Sequence, residues 1–437
     1  MSQRRALRRV AAAGLASALA LLAACAGGGG GTDPKQEEEV TSLTIIAANS
    51  PFTAGLQPLL DKYKEESGVT VTLEPYGNEQ LNDTLKVKLN AQSADFDIYG
   101  YQVQDLIREF TRNGWLEDIS ARVTSDSAWN WDDFQQSARD AVTLDGKVYG
   151  VPVMTERHIV YYRTDLLKEA GIEPPATLEE LEAAAKQLHD PDNGFYGIAM
   201  RGARVPMITQ YSSFLYSYGG DFQDESGKTA TINTPEAIQA YETYGRLLRE
   251  SGPPGSTNMG WIEASAIFAQ GNAAFYLDAD SQAYTFLDET KSSVGDKVGY
   301  ARFPAGPAGS RPYNIVPQTL GINAFSTKKD AAWEFVKWVT NEANSKTMMA
   351  DATVPVARAS SWADDAAASK FPAGLVEIVR GVDDNYVGHD RPRLEAVARA
   401  REYVGGPGVT AIEGGDVAAA AEQANKDFQA LLDTENK

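Results

Sequence analysis

Cysteine is all but missing from this sequence: 437 residues hold one, Cys25. A lone thiol closes no intramolecular disulfide, and the rest of the chain has no cysteine nucleophile. Histidine is nearly as scarce. His158, His189 and His389 stand far apart, and none falls in an H-E-x-x-H or comparable ligand spacing. No G-x-S-x-G elbow, P-loop or strand-borne G-x-G-x-x-G occurs, so the sequence marks of serine hydrolases, nucleotide hydrolysis and dinucleotide binding are missing too. Basic residues are in deficit, 40 Lys and Arg against 60 Asp and Glu, for a net charge of −20. A surface of that sign repels phosphates and argues against nucleic acid as a partner. Carboxylates are plentiful, but a glycosidase needs two at a set separation, which abundance alone does not supply. Asp190-Pro191-Asp192-Asn193-Gly194 starts like a calcium loop. Arg201 stands at the twelfth position, where a bidentate acid belongs, so the stretch reads as a turn. No metal and no cofactor is expected.

Apolar runs of membrane-spanning length are also lacking. The longest opens the chain. Residues 2–9 read S-Q-R-R-A-L-R-R, and residues 10–24 are small and apolar. A basic segment followed by a short apolar one is a secretory leader. It ends in Leu22-Ala23-Ala24-Cys25, which resembles the lipobox of bacterial lipoproteins. The resemblance implies cleavage after residue 24, lipidation of Cys25, and membrane attachment through its acyl chains. Gly27 to Gly31 and the polar run to Glu39 read as a flexible tether. Loss of residues 1–24 removes four arginines and no acid, leaving 36 basic against 60 acidic residues and a net charge of about −24.

Beyond the tether the chain alternates. Strand-like runs at 43–47, 69–73 and 96–99 are separated by apolar residues at helical spacing: Leu56, Leu59, Leu60 and Tyr63, then Leu81, Leu85 and Leu89. Two further strands are read at 149–153 and 158–162. This is the βαβ pattern of a largely parallel α/β fold. Thr177 with Glu180 reads as a capping box, and Thr234-Pro235 as a helix start. Trp333, Phe335 and Trp338 read as the core face of a helix, and further helices are read near 390–403 and 415–432. The length exceeds one comfortable core, so two lobes are expected.

Several segments, in order, resemble the extracellular solute-binding proteins of bacterial ABC importers, in the carbohydrate and polyol cluster. They are D-G-K-V-Y-G-V-P (145–152), Y-Y-R-T-D-L-L (161–167), A-G-I-E-P-P-A-T (170–177), F-A-Q-G-N-A-A-F (268–275) and L-G-I-N-A-F-S-T-K-K-D-A-A-W-E-F (320–335). Gly197 to Gly202 and S-Y-G-G-D (217–221) are similar to the polyol and oligosaccharide branch. The resemblance implies a type II periplasmic-binding fold, with two α/β lobes around a central cleft. Lobe 1 is expected from 41–154 and 303–350, and lobe 2 from 158–298 and 355–437. It implies no enzymatic activity. A monomer on the outer face of the membrane would pass a sugar, oligosaccharide or polyol to permease subunits.

Ligand groups in open α/β sheets lie past the carboxyl ends of strands. That rule selects Asn49, Ser50 and Phe52; Tyr101, Gln102, Gln104 and Asp105; and Thr155 and Glu156. Lobe 2 contributes Arg201, Trp261, Asp278 and Asp280, and Gln318 precedes a late strand. Among these, the resemblance to maltose-type binders implies a sugar-contacting acid at Glu156. Carboxylates, amides and Arg suit hydroxyls, and aromatic faces suit the C–H faces of a sugar ring. Trp261 is open to a second reading, as core. Two alternatives remain for function: the same fold holding an amino acid, peptide or phosphodiester, or a lipoprotein that presents a ligand to a sensor.

Overall fold

A computed structural model describes residues 40–435, apart from 289 and 383–384. The leader, Cys25 and the tether lie outside the described residues. Ten strands are present among them: β1 (Ser42–Ala48), β2 (Thr70–Tyr76), β3 (Ile98–Tyr101), β4 (Thr143–Leu144), β5 (Lys147–Val148), β6 (Val151–Arg163), β7 (Tyr196–Ala199), β8 (Ala273–Ala279), β9 (Val298–Arg302) and β10 (Asn314–Ile322).

The first three strands form the expected βαβ units. β1 runs parallel to β2 and β3, and the helices Pro51–Ser67 and Asn78–Asn90 make the crossovers. The apolar spacing read from the sequence faces inward, since Leu56, Leu85 and Leu89 are fully buried. Burying each such side chain contributes roughly 1.5–3 kcal/mol. Local signals act as well. Asp145 and Gly146 have φ of 52° and 75°, which makes the two-residue turn of the β4–β5 hairpin. Thr234 caps the helix Pro235–Ser251. Thr177 accepts from the Glu180 amide, while the Glu180 carboxylate reaches one residue further back than a capping box predicts, to the Ala176 amide.

β10 returns antiparallel between β3 and β6, which gives the order β2-β1-β3-β10-β6-β8-β7, with β9 also on β6. The two strands read at 149–153 and 158–162 are in fact one, β6. Its first half pairs with β10 and its second with β8 and β9, so a single strand runs through two sheet regions. The polar residues 155–157 look like a break in sequence. They are strand because their side chains find buried partners, described below. The buried apolar residues divide into two clusters, one centred on the β1–β3 end and one on the β7–β8 end with the C-terminal helices.

The helix read near 390–403 also needs correcting. It spans Val397–Glu413 and runs through Gly405-Gly406-Pro407-Gly408. The glycines act as contact surface. A Cβ on Gly405 would stand 2.0 Å from the Arg204 carbonyl oxygen, and one on Gly408 would stand 2.3 Å from Met207 Cε. Arg358 is fully buried and donates to the carbonyls of Trp129 and Thr340 and to Asp133, which ties the chain near 358 to the first core. Among the described residues, no helix is long and apolar enough to cross a membrane.

Candidate solute site at the crossover strand

Strand alternation sorts the side chains of β6. Thr155 and Arg157 share one face, and Arg157 Nη1 donates to Thr155 Oγ1 at 3.0 Å. Glu156 and His158 share the other face. Arg157 is fully buried and held by Asp280, which accepts from its backbone amide at 3.0 Å and from Nε at 2.5 Å. Trp362 packs on the same guanidinium, 5.5 Å from ring centroid to charge centre. Asp280 and Thr155, selected as ligand groups, therefore fasten the crossover strand.

Of Thr155, Glu156, Arg157 and His158, Glu156 alone is not fully buried. The carboxylate is half-buried and accepts from Ser281 Oγ at 2.5 Å. Burial pushes its pKa up to about 7; Asp280 and Asp278 add to the shift, while Ser281 and Arg201 oppose it. Arg201, after β7, donates through Nε and Nη2 to Asp278 at 2.9 and 2.5 Å. Asp278 is fully buried and also accepts from Gln210 Nε2 and Tyr276 Oη, each at 2.9 Å. Burial disfavours its charge, but Arg201 outweighs that and holds its pKa below the usual carboxylate value. Asp278 is thus a positioning residue that fixes the Arg201 plane. His158 stacks on Tyr313 at 5.1 Å, and burial pushes its pKa down to about 3. Neither His158 ring nitrogen nor Tyr313 Oη has a partner.

The β1–β3 side supplies fewer open groups. Ser50 caps the helix Pro51–Ser67 and donates through Oγ to Gln318 Oε1 at 2.9 Å, which joins two predicted residues. Gln102 is half-buried with no capping bond, and Asn49 is exposed. Trp261 is 39% exposed, so its ring is not core. Asp105 accepts from Arg391 Nη1 at 2.8 and 2.9 Å, and Arg391 also forks onto Asp390.

Phe52 and Tyr101 do not face the site. Each is 2% exposed, and Tyr101 Oη donates to the Tyr149 carbonyl. The strand-end rule finds their loops, but helix and strand phase turn these rings into the core. Gln104 is also committed, because its amide pairs both ways with the backbone of Val316 where the β6–β10 ladder is irregular. Sequence reading missed Ser281, Gln210 and Arg391. Ser281 lies one residue past Asp280 in a loop already selected, whereas Arg391 carries no motif.

A cavity of about 980 Å³ lies elsewhere, lined by Gln135, Ser137, Trp362 and Gly388 among others. Trp362 places it on the Arg157 face of β6. Its lining includes the sequence-selected Gln104 but none of Glu156, Arg201, Asp278 or Trp261. Volume alone does not make it the solute site, since the bonded set of Glu156, Ser281, Arg201 and Asp278 lies off its lining.

Residues 49–346 match the family model described as bacterial extracellular solute-binding protein. The chain belongs to that family. A mannitol-binding protein of Pseudomonas aeruginosa is 30% identical over 357 residues, covering 79% of this chain and 80% of that one. The ribitol complex of an ABC transporter solute-binding protein from Agrobacterium radiobacter K84 superposes with a TM-score of 0.77 at 26% identity, covering 90% and 99% of the two chains. Maltose-bound MalE3 of T. maritima gives 0.76 at 25% identity, covering 89% and 99%. The family and its two-lobed α/β fold are those the sequence motifs resemble.

Proposed function

We propose that this protein captures a neutral polyol or small sugar outside the membrane and delivers it to the permease of an ABC importer. The observation that carries the solute class is charge pairing. Arg201 is matched to Asp278, Arg157 to Asp280, and Arg391 to Asp105 and Asp390. Cations already neutralised at close range have little left to offer an anionic solute, but their remaining N–H groups still suit hydroxyl oxygens. The names of the mannitol and ribitol relatives support the same class. Glu156, Ser281, Arg201, Ser50, Gln318, Gln102 and Trp261 are the contact residues in this reading.

Lobe 1 then comprises the β1–β3 end with β10, and lobe 2 the β7–β9 end with the C-terminal helices. The contacts of Arg358 favour a second boundary later than residue 355. β6 is one hinge strand, and closure around the solute buries it. The protein acts as a monomer with no cofactor and no enzymatic step. Lipidated Cys25 holds it at the outer face of the membrane, and replacing Cys25 with serine is expected to release it into the medium. A Cys25→Ser protein that stays in the membrane fraction contradicts the anchor.

Thermal unfolding of the full chain in detergent, with ribitol, mannitol, erythritol, maltose, gluconate and amino acids in turn, tests the solute class. A solute at 100 times its Kd adds roughly 2.7 kcal/mol of stability. The expected shift is confined to neutral hydroxylated compounds. A shift confined to anions or amino acids overturns the reading.

A further inference from the structure

Arg401 stands in the first turns of the helix Val397–Glu413, outside the segment that the family model matches. Its Nη2 donates to the Val205 carbonyl at 2.9 Å and weakly to Thr209 Oγ1 at 3.4 Å. Its Nε is buried with no acceptor. Val205 and Thr209 belong to the stretch that follows Arg201, and the Arg201 amide bonds to Gln210 one residue on. Arg401 thus overhangs the loop that carries Arg201.

Charges from both ends of the molecule act on it. It feels Arg391, Asp390 and Arg201 from the β7–β8 end and Asp105 from the β3 end. Burial first, and then Arg391, press its pKa down to about 10. Arg391 forks onto Asp390 and reaches Asp105, and Arg201 forks onto Asp278. Arg401 has no such direct carboxylate bond among the described residues. Arg201 Nη1 likewise has no hydrogen-bond partner among them. Both guanidinium groups therefore keep an unused donor, and that of Arg401 is the one sealed from water. A buried N–H left without an acceptor is costly, and a ligand oxygen can recover that cost.

We infer that Arg401 is a solute-contacting residue, and that with Arg201 it presents paired donors to adjacent hydroxyl oxygens, so the site selects vicinal diols. The inference rests on the polyol reading above and names the part of the solute that is recognised. The chemistry favours hydroxyls over a carboxylate because Asp278, Asp390 and Asp105 already balance the local positive charge. It also places a specificity residue in the C-terminal part of the chain, where sequence resemblance gives no guide.

The test is calorimetric titration of the full chain in detergent with mannitol, ribitol and 1-deoxymannitol, for the wild type, Arg401→Met and Arg401→Lys. Methionine keeps the apolar stem and removes every donor. Arg401→Met is expected to weaken binding of the best polyol at least tenfold, with Arg401→Lys in between, and with the unfolding temperature of the free protein held or raised. Removing a contacted hydroxyl from the solute is expected to matter in the wild type and to matter less in Arg401→Met, a coupling that a merely structural role does not produce. Unchanged affinity in Arg401→Met overturns the inference, leaves the polyol reading standing, and assigns the orphan donor to water. Should the wild type bind no polyol, the functional reading falls and the diol assignment falls with it.

Discussion

Replacing Asp280 with alanine is expected to destabilise the protein by about 3–5 kcal/mol. Asp280 is 3% exposed and Arg157 is fully buried, so the variant strands a cation where water cannot reach it. The lost carboxylate also leaves the Arg157 amide without its partner in the middle of β6. The remaining contacts of the guanidinium, to Thr155 and to the Trp362 face, do not neutralise a charge. The pair itself is a different matter. Coulombic attraction in a buried pair roughly offsets the cost of desolvating it, and apolar replacements of similar size are often neutral or stabilising. The double variant Arg157→Met with Asp280→Leu is therefore expected to recover most of the loss. Equilibrium urea unfolding of the three proteins checks both statements. A single variant within about 1 kcal/mol of wild type would show that the pair does not hold β6 as described.

Replacing Glu156 with glutamine is expected to stabilise the free protein at pH 8 and to weaken solute binding there. The folded-state pKa of Glu156 is raised to about 7 from an ordinary value of 4.5. The native protein therefore holds the Glu156 proton more tightly than the unfolded chain does. That contribution is full below pH 4.5 and is lost as pH rises through 7. Glutamine imitates the protonated form and keeps the contribution at every pH. The carboxyl retains some contact with solvent, so the expected gap between variant and wild type is about 2 kcal/mol at pH 8, closing near pH 4.5. His158 acts in the other direction, with a folded pKa depressed from 6.5 to about 3, and costs stability as pH falls below 6.5. Both proteins carry it, so it drops out of the difference. Ionised Glu156 is the stronger acceptor for a solute hydroxyl, and the variant is expected to bind about tenfold more weakly at pH 8 and nearly equally at pH 5.5. Stability curves that overlay across this range would show that the Glu156 site is not desolvated.

How much of this was legible beforehand follows the range of the interactions. The caps at Thr177 and Thr234 and the leucine spacing of the early helices are set by neighbours within a few residues, and each stands where the sequence puts it. The continuity of β6 was not legible, because Arg157 looks like a solvated break until Asp280, 123 residues away, is brought beside it. Helix through Gly405-Gly406-Pro407-Gly408 was hidden for the same reason, since its glycines are explained by Arg204 and Met207 pressing on them. The site shows both cases. Strand ends found the loops holding Ser50, Glu156, Arg201 and Asp278, but could not say that Phe52 and Tyr101 turn inward or that Asp278 is spent on Arg201. Ser281, Arg391 and Arg401 enter only through tertiary contact.

The central claim is that the cleft holds a neutral, hydroxyl-rich solute because the charges of Arg201, Arg391 and Arg401 are balanced by Asp278, Asp390 and Asp105. Sorbitol and gluconate share chain length and configuration and differ by a terminal carboxylate, so a calorimetric titration of the full chain with each, beside mannitol, at pH 8, isolates that claim. Saturable binding of sorbitol, mannitol or their shorter homologues, with gluconate at least tenfold weaker, is the predicted result. Gluconate binding as tightly as the polyol, or more tightly, would mean that a guanidinium in the cleft remains free to meet an anion, and would contradict the account.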